Sequence, residues 1–220
     1  MKWWNRFWRS TDTLADALEP SQWVHLTLPG WNEGPPVDGL RVWHDSDGDA
    51  LSLAIPTSGS ELSRASDEME LRHRCRKLAQ NRGGGLIEVH AIPRGTNSVS
   101  LIYKRQDFPA YVYSGMLITS VRGNSLVWTI VAVERGMTGV REAVVASNLM
   151  NAGKLTAEDY KRYWAEDPYE AAYRGVDRSV MRFMSDDESY DEQFPQHPLS
   201  KVRRVLAMLP NTMQFDSEAL

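Results

Sequence analysis

The run Asp45-Ser46-Asp47-Gly48-Asp49 puts three carboxylates on alternate positions of a turn, the donor type a calcium ion takes. A calcium loop of the EF-hand kind also needs glycine at its sixth position and glutamate at its twelfth. Those positions hold Ala50 and Pro56, so the run reads as a solvated hairpin turn. Gly83-Gly84-Gly85 has the bare backbone of a phosphate loop, yet it follows a helical pattern and precedes a strand. That order does not aim a helix N-terminus at a phosphate, and the glycines are expected to end a helix. His25, His44, His73, His90 and His197 show no zinc-ligand spacing, and no metal is assigned. Glu88 and His90 share one face of a predicted strand and could form an acid–base pair. No Gly-x-Ser-x-Gly elbow or cofactor loop accompanies them, so no catalytic residue and no cofactor is assigned.

Cys75 lies among Arg72, Arg74, Arg76 and Lys77, cations that would favour a reactive thiolate at an exposed sulfur. Its place on the apolar stripe of a helix predicts burial. In Glu134-Arg135-Gly136-Met137-Thr138-Gly139-Val140-Arg141, two glycines and a threonine turn a strand into a helix. Thr138 is the expected N-cap. Glu134 is expected to brace the corner by accepting a bidentate pair from Arg141, and the amides at the helix start could hold an anion. Of the eight tryptophans, Trp23, Trp43 and Trp128 are expected to fill a core. Trp3, Trp4, Trp8 and Trp31 have no such role and are the candidate partner-facing residues.

These groups need elements to position them. Residues 22–28 alternate with period two and stop at Pro29-Gly30, as a strand does. Residues 40–44 and 50–55 flank the Asp-Gly turn and read as a hairpin. Residues 61–82 carry helical periodicity. Strands follow at 86–92, 98–104, 111–119 and 126–133, joined by connections short enough to require antiparallel pairing. A helix is expected at 138–153, another from Thr156 to Trp164 with a carboxylate at Asp159 to complete its cap, and a last one over 198–209 with Pro198 in its first turn. The fold class is therefore α+β: an antiparallel sheet of six to seven strands flanked by helices, with a helical C-terminal extension. The expected organisation is an aromatic, basic segment with a short helix at 1–20, a sheet domain at 21–153, and a docked extension at 154–220 that contains an acidic stretch at 186–192.

Composition narrows the partners. Lys and Arg number 25 against 29 Asp and Glu, a net charge of −4, and neither half of the chain is basic. General nucleic-acid binding is thereby excluded. A single cysteine makes no internal disulfide. Residues 1–9 hold three tryptophans, a phenylalanine and three cations, enough for weak contact with a membrane surface, and they lack the layout of a secretory signal. No apolar run approaches the ~20 residues of a membrane span, and the bacterial cytoplasm is the expected location.

Leu26-Thr27-Leu28-Pro29-Gly30-Trp31, the hairpin after it, the long helix, the meander and the closing helix after Thr138-Gly139 together resemble the PsbP-like domains, over about residues 22–150. The resemblance implies a sheet packed between helices and a non-enzymatic protein that binds a partner protein, in some bacterial relatives as an adaptor for secreted effectors. Residues 190–203 resemble the ending of uncharacterised bacterial proteins. The expected function is a cytosolic protein-interaction module, a secretion adaptor or immunity protein with an effector or toxin as partner. The alternative is a small hydrolase or ligand-binding enzyme domain using His90 and Glu88.

Overall fold

A computed structural model describes residues 24–56, 62, 65, 67–94, 96–121 and 124–215. The helix expected near the N-terminus and Trp3, Trp4, Trp8 and Trp23 lie outside these residues. The described chain begins with β1 (Val24–Leu26), then β2 (Trp31–Glu33), β3 (Arg41–Asp45) and β4 (Ala50–Ala54). Helix α1 (Glu68–Asn81) leads into four long strands, β5 (Gly84–Arg94), β6 (Thr96–Asp107), β7 (Ala110–Val121) and β8 (Asn124–Val133). Helices α2 (Val140–Asn151) and α3 (Ala157–Tyr163) follow, then the short strands β9 (Ala165–Glu166) and β10 (Arg182–Phe183). The last elements are α4 (Pro198–Thr212) and β11 (Met213–Phe215).

Seven strands form one antiparallel sheet in the order β2-β3-β4-β8-β7-β6-β5, which is the α+β fold read from the sequence. One assignment changes. The first predicted strand does not join this sheet. It is shortened to β1 and pairs with β11, Val24 opposite Phe215. The seventh place goes to β2, which the Pro29-Gly30 turn sends back alongside β3, Trp31 opposite Asp45.

The period-two pattern of the long strands feeds two cores. Leu101, Tyr103, Met116 and Ile118 pack against Leu71, Cys75 and Ala79 of α1. Ile102, Tyr113, Leu117 and Ile130 face the other way and pack against Leu199, Val202, Val205, Leu206 and Leu209 of α4. Trp43 and Trp128 join this second core, their rings 5.5 Å apart. Helix α4 thus supplies one wall of the main core, although it lies at the far end of the chain. Gly115 lets it approach: a Cβ there would stand 2.5 Å from Val202 Cγ1.

Both sheet edges are blunted against further strands. β2 is only three residues long. On β5, Val89 N–H donates to the Tyr169 hydroxyl at 2.7 Å, and that hydroxyl donates to Val89 C=O at 3.2 Å. A phenol on both backbone groups of an edge residue leaves no ladder there for an incoming strand.

Candidate functional site

Four segments meet at one end of the sheet. They are the β3–β4 turn, the β8–α2 corner, the segment before α4, and the β6–β7 turn. Three of them enclose a cleft of about 510 Å³ whose lining includes Asp47, Glu134, Met137, Phe194, His197 and Lys201.

The acidic turn is not solvated as the sequence suggested. Lys201 Nζ, from the first turns of α4, donates to Asp45 Oδ2 at 2.9 Å, Asp47 Oδ2 at 2.6 Å and Asp49 Oδ2 at 2.7 Å. Asp49 is also bonded by Arg135. The alternating spacing that resembles a calcium loop does gather three carboxylates, and an ammonium 152 residues away fills the space between them. Burial alone would lower the Lys201 ammonium, but hydrogen bonds to Asp47, Asp49 and Asp45 outweigh it and raise it.

The Glu134 corner is braced, by other partners than expected. Glu134 Oε1 accepts from Gly139 N–H and Oε2 from Tyr111 N–H, both at 3.2 Å. Gly139, with φ near +74°, holds the cap position before α2, and Thr138 makes no capping bond. Arg141 points away from Glu134. It is wholly buried and donates to Ser185 C=O at 2.6 Å, Asp187 C=O at 2.9 Å, Asp191 Oδ1 at 2.9 Å and Ser200 Oγ at 2.9 Å. Four of its five N–H groups are taken by these acceptors, all of them within the fold.

Glu134 meets His197 instead, Oε1 to Nε2 at 3.5 Å, with side chains only 5% and 8% exposed. His197 Nδ1 accepts from Leu199 N–H at 3.2 Å and so caps α4. That bond assigns the ring hydrogen to Nε2. Glu142 stands close by, the nearest donor atoms of Glu134, Glu142 and His197 all lying within 4.8 Å of one another. Burial pushes Glu134 up, but His197 and the two amides outweigh it and lower it. Burial raises Glu142, the charge of Glu134 adds to this, and the residue's own amide offsets only part.

The remaining sequence candidates lie elsewhere. His90 Nε2 is 3.8 Å from Glu88 Oε1, but Glu88 is gripped by Arg203 at 2.6 Å and His90 is 60% exposed. Burial pushes Glu88 up, and hydrogen bonds and charge from His90 and Arg203 bring it down to about 2. A carboxylate that acidic, locked by a guanidinium, is a poor base, and neither residue lines the cleft. His25 lies on β1 and His44 on β3, in different sheets from each other, so the histidines do not converge. Cys75 is fully buried, and desolvation pushes its thiol up to about 12, which removes the reactive reading. Trp31 sits on the edge strand β2, partly buried against the main core.

The acidic stretch at 186–192 is an internal fastening. Asp186, completely buried, accepts from Lys104 Nζ at 2.6 Å and from Phe183 N–H at 2.7 Å. Asp191 receives Arg141 and Arg203, and Asp187 receives Arg182. Lys104 Nζ also stands 3.1 Å from the Phe183 ring centre. Sequence reasoning missed Lys201, His197 and Glu142 as neighbours of Glu134 and of the acidic turn. Only the helical stripe that aims α4 at the core hinted at their placement.

No protein-family profile matches the chain, and no curated protein sequence does. Similar solved structures include a mutant of protein Mog1, at 12% identity and a TM-score of 0.42 over 60% of this chain and 82% of that one. The Saccharomyces cerevisiae Ran-binding protein Mog1p is similar at 10% identity and 0.40, over 67% and 87%. A Pseudomonas aeruginosa protein of unknown function is similar at 14% and 0.31, over 63% and 87%. These likenesses assign neither a partner nor an activity. Among the described residues no helix is long and apolar enough to cross a membrane.

Proposed function

We propose that this chain is a non-enzymatic module that seats a partner protein on the sheet end around the cleft. The observation that carries the reading is the placement of exposed apolar side chains there. Phe108, at the tip of the β6–β7 turn, is 85% exposed, Met137 is 83% exposed, and Val140 beside it is 40% exposed. Glu134 bonds the amides of Tyr111 and Gly139, which draws these two turns together. Exposed apolar groups rimming a polar cleft are the make-up of a partner-binding patch. The blunted sheet edges favour docking at the end of the sheet over strand addition. The ionisable groups near the cleft are largely spent on one another, which speaks for a scaffold more than for a reaction centre.

The finer form of the proposal is a bacterial, cytosolic secretion adaptor or immunity protein with an effector or toxin as partner. It rests on the resemblance of residues 22–150 to PsbP-like domains. The test is photo-crosslinking in the native host, with the reactive amino acid placed at position 108, 137 or 69. Met69 of α1 is 78% exposed and serves as the apolar control away from the patch. One shared adduct at 108 and 137, absent at 69, is the expected result. Equal labelling at all three positions, or none at 108 and 137, refutes the reading.

A further inference from the structure

Around the cleft the charges nearly cancel, with one exception. Asp45, Asp47 and Asp49 face Lys201 and Arg135. Arg141 and Arg203 face Asp191 and Glu88. Lys104, the buried cation beneath, is committed to Asp186. Among the described residues Glu134 and Glu142 have no lysine or arginine partner, and the one ion-pair contact of either is that of His197 with Glu134. Neither enclosed Glu142 oxygen has a hydrogen-bond partner beyond the residue's own amide, and Nε2 of His197, whose side chain is more than nine-tenths buried, has only Glu134 Oε1 at 3.5 Å. Two enclosed carboxylates without a cation are costly, and a positive group brought from outside would relieve both.

The ring hydrogen says which kind of positive group. His197 Nε2 carries hydrogen because Nδ1 accepts the Leu199 amide, so it has no lone pair to offer a metal. The cleft walls add Met137, Val140 and Phe194, apolar surface that suits the methylene stem of a long basic side chain.

We infer that the partner's anchor is a lysine or arginine side chain, its stem against Met137 and Phe194 and its charged head on Glu134, with Glu142 directly behind. This rests on the docking reading above and deepens it.

The probe is a capped pentapeptide with a central lysine between two leucines, together with its arginine and norleucine versions. Each is titrated at millimolar concentration into the full chain, and backbone amide shifts are recorded. The lysine or arginine peptide should shift the amides of Tyr111, Gly139 and Leu199 saturably, and the norleucine peptide should not. Glu134→Gln and Glu142→Gln should each weaken the charged peptide about tenfold or more. Glu142→Gln leaves the corner bonds of Glu134 intact, so it reports even if Glu134→Gln disturbs the fold. Equal binding by the norleucine peptide, or no charge-dependent shift at this cluster, overturns the inference. Zinc alone moving the same resonances overturns it in favour of a metal site. The docking reading fails by a separate route, when positions 108 and 137 crosslink nothing.

Discussion

Replacing Asp186 by asparagine tests how the C-terminal segment is fastened to the sheet. Asparagine's one carbonyl oxygen can still accept the Phe183 amide, and its amide nitrogen would then face the Tyr113 hydroxyl that donates to Oδ1 at 3.4 Å, so the main loss is the charge opposite Lys104. Both side chains of the pair are fully buried, and breaking such a pair by removing one partner costs about 3–5 kcal/mol. The ceiling follows from the lysine. Burial already lowers its ammonium, and Asp186 is the main group opposing that. Without Asp186 the folded chain escapes an unpaired charge by releasing the proton, while the unfolded chain keeps it up to about 10.5. At pH 7 that release costs at most about 5 kcal/mol, and the cost shrinks by about 1.4 kcal/mol for each unit of rising pH. The direction is fixed by proton count: in this window the unfolded state binds one proton more than the folded state, so stability climbs with pH. Urea unfolding of Asp186→Asn, followed by tryptophan fluorescence at pH 7, 8 and 9, should show that slope beyond any in the parent. Adding Lys104→Met should abolish the slope and restore stability. A cost below about 1 kcal/mol at pH 7, or one independent of pH, would refute the reasoning.

Lys201→Ala leaves three converging carboxylates without their ammonium. It should destabilise the fold by roughly 3 kcal/mol and make its melting temperature rise with millimolar calcium, while the parent does not respond. Glu88, with a folded value of about 2 against 4.5 for the free group, contributes stability that is complete above about pH 4.5 and lost as pH falls toward 2. The difference in unfolding free energy between the parent and Glu88→Gln should therefore narrow over that range, from up to about 3 kcal/mol at pH 5. Gly115→Ala should cost about 1–3 kcal/mol by denaturant unfolding, because its methyl meets Val202 at 2.5 Å and Leu206 at 2.8 Å.

Much of the architecture was legible because the signals are local. The alternation in 98–133 gave β6, β7 and β8, and the Asp-Gly turn gave the β3–β4 hairpin. The Thr156–Asp159 cap was readable too: both of its reciprocal bonds form. The strand at 22–28 was placed in the wrong sheet because its partner, β11, is nearly 190 residues away and alternation does not name a partner. Glu134 was identified as a bracing acceptor while its donor was misassigned: Tyr111 and Gly139 amides take the place of Arg141. A glutamate seven residues before an arginine invites a local pair, yet Arg141 follows the helix axis to Asp191 and Ser200.

By itself the sequence determined the α+β class, the antiparallel meander and the faces each strand buries, since side-chain period and turn chemistry act between neighbours in the chain. Only the tertiary structure decided which charges meet. Lys201 reaches the acidic turn, Lys104 reaches Asp186, and His197 comes to lie beside Glu134 and Glu142 because packing α4 against Gly115 and Ile130 carries its polar end to the cleft. Charges pair by distance and burial, and both are set by the packing of segments remote in sequence.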